Sequence, residues 1–151
     1  MLVSAEFRQH LSDAFYPRRP EWAGAFLLVL GGWILRENPT LMEVSQTGTT
    51  KPFTLMLAVA SQPAWASALL AFGLLRFLVL FINGAWRKSP HLRMLFALLS
   101  CFFWEQIALS FSATFGLSFA AYVVFLGLEF SNIIIAGRDA RAADDAARRS
   151  T

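Results

Sequence analysis

Charge is the scarcest commodity in this chain. Only 15% of its 151 residues are Asp, Glu, Lys or Arg, against about 25% in a typical soluble domain. Cysteine occurs once, at Cys101 inside an apolar run, so there is no disulfide framework and no Cys/His metal spacing. Tyrosine occurs twice, and histidine only at His10 and His91. No GxxxxGK[ST], GxSxG, HExxH or glycine-rich dinucleotide loop is present. These absences speak against an ordinary cytosolic enzyme, a haem or metal protein and a disordered chain.

What fills the space is hydrocarbon. AVILMFWYC residues make up 56% of the chain, with 15 Phe and 5 Trp, and the mean hydropathy is +0.51. Such a composition predicts an all-α integral membrane protein without enzymatic activity, built as a single membrane domain over residues 1–151. The net charge of +3 reads as contact with anionic headgroups rather than with nucleic acid, because the basic residues flank the apolar segments.

Residues 2–16 place Val3, Phe7, Leu11, Ala14 and Phe15 at helical spacing, which predicts an amphipathic arm on the membrane surface or against a partner. Pro17 and Pro20 end it. Four spans are expected at about residues 22–35, 64–86, 94–112 and 117–136. The first is short, with Trp22 and Trp33 at its ends; Trp65 and Trp86 bracket the second, and all four read as interfacial anchors. Residues 53–60 are too few to span and read as an interfacial or re-entrant segment. Residues 137–151 form a charged, alanine-rich tail expected to continue the last helix.

Lys and Arg set the orientation. With four spans, ten flanking cations fall on the side of the arm, the 87–93 turn and the tail, and two (Arg36, Lys51) on the other. The positive-inside bias then puts both termini in the cytoplasm, and in a bacterial cell the membrane would be the inner one.

Three ionisable residues interrupt the spans: Arg76, Glu105 and Glu129. Counted from the cytoplasmic ends at about 1.5 Å per residue, their depths agree to within about 4 Å. They are expected to form one intramembrane layer, Arg76 held between two carboxylates, with Gln106 and Asn132 satisfying the remaining donors and acceptors. The layer reads either as a structural clamp or as a proton- or ion-conducting element. Ser67/Ala71, Ala108/Ser112 and Gly127/Ser131, each four apart, are candidate sites of close helix approach. No cofactor or metal is implied. The partners to expect are the lipid bilayer and either a second copy or another membrane protein, with no nucleic acid.

The stretch NGAWRKSPHLR at residues 83–93, followed by Ser100, Trp104 and the tail GRDAR at 137–141, resembles a group of small four-span membrane proteins encoded by bacteriophages and prophages. The likeness runs over residues 22–145. It implies an inner-membrane location and a phage-related role by assembly or interaction: holin-like, lysis-modulating or envelope-modifying. It carries no catalytic or ligand residues. A transporter or channel subunit using the charged layer, and a membrane anchor for cytoplasmic partners, are the competing readings.

Overall fold

A computed structural model describes residues 15, 18–47, 51–85, 89–112 and 115–149. Within them the chain is helical, with no strand. The long helices are α1 (Arg19–Glu37), then, after two short ones, α4 (Gln62–Ala85), α5 (Pro90–Ser110) and α6 (Leu117–Arg149). The short ones, α2 (Leu41–Val44) and α3 (Thr54–Val59), belong to the α1–α4 connection, with a 3₁₀ turn at Ser45–Thr47 between them. Three helices, α4, α5 and α6, are long and apolar enough to cross a membrane. Helix α1 is not among them: Arg19, Glu21, Arg36 and Glu37 at its two ends confine its uncharged run to residues 22–35. The amphipathic arm at 2–16 lies outside the described residues except for Phe15, which is exposed and packs its ring on Trp22 at 5.9 Å.

Two helix pairs build the bundle, α1 with α4 and α5 with α6. Glycine sets the first pair. A methyl group on Gly32 would fall 2.7 Å from the Leu70 amide nitrogen and 2.9 Å from the Ala66 carbonyl oxygen. One on Gly73 would meet Val29 at 2.7 Å and the Ala25 carbonyl at 3.1 Å. The two backbones approach as closely as they do because neither position carries a side chain. The small-residue pairs read from the sequence do not play this part: Ser67, Ala71, Gly127 and Ser131 are exposed, and nothing lies within 4 Å of a methyl on Gly127. Of the third pair, only Ala108 is buried.

Each long helix buries one narrow stripe. On α5 it is Arg93, Ala97, Ser100, Trp104 and Ala108; on α6 it is Glu129, Asn132, Ala136 and Ala140. Steps of three and four follow from 3.6 residues per turn. The opposite faces expose Leu74, Leu75 and Leu78 on α4, Leu95, Leu98 and Phe102 on α5, and Val124, Phe130 and Ile134 on α6. Polar groups inside and large apolar side chains outside invert the usual soluble arrangement.

Proline and amide chemistry trim the ends. Helix α5 starts at Pro90, four residues before the expected span, because proline is pre-set for the first helical turn. Helix α6 runs on through the expected tail to Arg149. Residues 53–60 form the six-residue α3, whose Met56 is buried and whose Met56 carbonyl accepts the Trp65 indole N–H at 2.8 Å. Gln62 ties the α1–α4 connection down: its amide donates to the Leu35 carbonyl at 2.8 Å and accepts from the Met42 N–H at 2.7 Å.

Candidate functional site: a buried guanidinium–carboxylate pair

Arg76 projects from the buried stripe of α4, and at 2% exposure it is among the largest fully enclosed side chains. Glu129 of α6, 1% exposed, meets it fork to fork: Nη1 donates to Oε1, and Nη2 donates to Oε2 at 2.7 Å. The planar guanidinium matches a carboxylate in this bidentate way, which a lysine could not do.

Neutral groups add further hydrogen bonds to the pair. Ser100 accepts from Arg76 Nη1 and donates its O–H to the Phe96 carbonyl at 2.9 Å. Asn132 Nδ2 donates to Glu129 Oε2 at 3.1 Å, and the Trp104 indole donates to Oε1 at 3.4 Å. Helix α1 closes the fourth side with Gly24. A methyl there would lie 2.6 Å from Glu129 Oε1 and 3.3 Å from Arg76 Nη1, so a side chain at this position would displace the ion pair. All four long helices therefore meet at one point.

Glu105 is not part of it. The layer expected from the sequence holds Arg76 and Glu129, supported by Asn132, but Glu105 is exposed on the outer face of α5. Helical geometry explains the correction. Glu105 lies five residues beyond Ser100, which turns it about 140° away from the pair and carries it about 7.5 Å along the axis. Gln106 is half-buried and its backbone carbonyl accepts from Ser110 at 2.8 Å; its side chain takes no part in the Arg76 network. Because α5 begins at Pro90 and ends at Ser110, Glu105 falls near its far end.

The interfacial anchors divide. Trp33 is 55% exposed on the outer face of α1, where an anchor would sit. Trp65 is 4% exposed and packs on Phe102 and Phe103, a core residue because it follows Gln62 on the inward stripe. Trp22 is half-buried between Phe15 and Phe77. Trp86 lies outside the described residues.

A second ionic cluster went unread in the sequence. Arg93 is enclosed at the start of α5 and grips Glu21 of α1 through Nη2 and through Nε at 3.0 Å. Its Nη1 donates to Asp139 of α6 at 2.8 Å. Arg18 joins this end by donating to the Asn83 carbonyl at 3.4 Å, and burial, with Arg93 nearby, lowers its guanidinium pKa from the ordinary value. The signal was present: Arg93, Ala97, Ser100 and Trp104 are spaced by four, three and four, so Arg93 shares the face of the residues that hold Glu129. Arg93 is one of the flanking cations of the 87–93 turn.

No family model, curated protein or solved structure matches the chain. The site is therefore judged on its chemistry. Among the described residues no cluster of three His, Cys, Asp or Glu side chains could hold a metal. Cys101 is buried on the same helix as Ser100 and Trp104, and the carboxylate of Glu129 accepts from four donors. The pair and its neutral neighbours tie α4, α5 and α6 together at one level.

Proposed function

We propose that the chain is a four-span protein of the bacterial inner membrane, both termini cytoplasmic, that acts by assembly or interaction rather than by catalysis. The observation that carries this reading is the inversion of polarity: Arg76, Arg93, Glu21 and Glu129 are enclosed while leucine, isoleucine and phenylalanine cover the outside. Water would favour the reverse, whereas hydrocarbon tolerates charge only when paired and turned inward. Helix α1 shares the pattern, exposing Phe26, Leu30, Trp33 and Ile34 and enclosing Glu21, which supports counting it as the fourth span.

The phage-type role, whether holin-like, lysis-modulating or envelope-modifying, rests on the resemblance of residues 83–93 and 137–141. Those segments supply Asn83, Arg93 and Asp139 to the ionic cluster at one end of the bundle. The bidentate bond of Arg76 to Glu129, both enclosed, favours a clamp over a conducting layer, because an ion path would need groups able to exchange partners. An anchor for cytoplasmic partners is the second reading, favoured by the exposed, charged end of α6 from 141 to 149.

Induced expression in a bacterial host separates the roles. Abrupt lysis supports assembly in the envelope, ion flux in liposomes without lysis supports a channel, and a co-purifying soluble protein supports an anchor. Reporter fusions after Thr50 should report the periplasm, and fusions after Thr151 the cytoplasm; a cytoplasmic signal at Thr50 would remove α1 as a span.

A further inference from the structure

A groove of about 510 Å³ with a distinct chemistry lies between the start of α5 and the middle of α6. Its floor is apolar, made by Met94, Ile133 and Ile134, and its mouth carries His91, Arg138 and Arg141. Gly137 lines it opposite Met94, with room for a methyl at 3.6 Å from the Met94 sulfur. Asp144 is the acid at the mouth, and it faces His91 at 3.5 Å. Arg138 and Arg141 have no ion-pair partner among the described residues, in a protein that otherwise pairs Arg76 and Arg93 with care.

We propose that this groove binds an anionic phospholipid from the surrounding bilayer, the phosphate at Arg138 and Arg141 and an acyl chain along Met94 and Ile134. The inference rests on the membrane reading above. Two features select this occupant over others. The polarity runs in one direction along the groove, from Ile133 and Ile134 in the span to Arg138 and Arg141 one turn later, matching a lipid's chain and headgroup in order. The two arginines, three apart on one helix face, can approach the same headgroup, and guanidinium is the side chain best suited to phosphate oxygens. Basic pockets between membrane helices on the cytoplasmic side recognise such headgroups elsewhere, and the charge count puts this end of the bundle on that side.

The prediction is selective retention. Full-length protein purified in mild detergent and examined by native mass spectrometry should keep one phosphatidylglycerol and release phosphatidylcholine. The double variant Arg138→Gln, Arg141→Gln should lose phosphatidylglycerol affinity about 25-fold, each cation near an anionic headgroup being worth a factor of about five. Arg36→Gln, at the opposite end of α1, should retain it. Equal binding of phosphatidylcholine, an unchanged adduct in the double variant, or displacement of the lipid by millimolar inorganic phosphate would each overturn the proposal. Alkaline carbonate extraction keeps the two readings apart. Protein that stays in the membrane pellet but shows no lipid preference refutes the groove alone; protein released to the supernatant refutes the membrane reading itself.

Discussion

Removing either half of the Arg76–Glu129 pair should destabilise the protein, and the two halves should not be equivalent. Both side chains are almost fully enclosed, so a one-sided deletion leaves an uncompensated charge, at a typical cost of about 3–5 kcal/mol. Arg76→Met strands a carboxylate that can still bind a proton and become neutral, with Ser100, Trp104 and Asn132 close by. Glu129→Gln strands a guanidinium, which stays charged at any physiological pH. The amide also brings a donor into a position ringed by donors: Arg76 Nη1 and Nη2, the Trp104 indole and the Asn132 amide. Had Glu105 completed a layer, Arg76 would keep one carboxylate in Glu129→Gln, and the arginine variant would be the worse of the two. The structure reverses that order. Glu129→Gln should fall at the upper end of the range and Arg76→Met at the lower. At about 2–4 °C per kcal/mol for a chain of this size, melting temperatures in detergent should drop by about 10 °C or more in Glu129→Gln. The double variant Arg76→Met, Glu129→Leu should recover most of the loss, since neutral packing of similar volume replaces buried pairs well. If Arg76→Met melts lower than Glu129→Gln, or the double variant is worse than both singles, the pair does not work as described.

Other outcomes follow from neighbouring geometry. Glu105→Gln should leave the melting temperature within the error of about 0.5 kcal/mol expected at an exposed site. Gly32→Leu should lower stability by at least 1–3 kcal/mol, because the side chain meets Leu70 and Ala66 backbone atoms, while Gly127→Ala, with open space around it, should be neutral or slightly stabilising in the same melting assay. Gln62→Leu leaves the Met42 N–H and Leu35 carbonyl without partners, at about 1–3 kcal/mol for each buried group; hydrogen exchange at Met42 should accelerate.

Much of the helical layout was legible because long apolar runs between prolines and basic turns leave few alternatives. Helices α4, α5 and α6 fall within a few residues of the expected spans, and the charged tail does continue the last helix. Arg76, Glu129 and Asn132 were identifiable because an ionisable residue inside an apolar run has to find a partner. What escaped was rotational information. Glu105 and Ser100 differ by five residues, and only the helix's facing decides which of them meets Arg76. Hydrophobicity could not supply that facing, since in this chain both faces of each helix are largely apolar. The role of glycine was hidden for a related reason. Gly24, Gly32 and Gly73 matter through what lies opposite, whereas Gly127, which sits in a small-residue pattern, faces open space. Trp65 was misjudged because tryptophan near a helix end suggests an interface, and its inward stripe becomes evident only from Gln62, Leu69 and Arg76 on the same face.

In a bilayer the exposed apolar faces should meet lipid while the paired charges stay enclosed. A photoactivatable probe confined to the acyl region of reconstituted bilayers tests it residue by residue. Labelling should fall on Leu74, Leu78, Leu98, Phe102 and Ile134 and spare Leu69, Leu80, Ala97 and Trp104. Labelling of the second group at the level of the first, or no labelling of either, would contradict it.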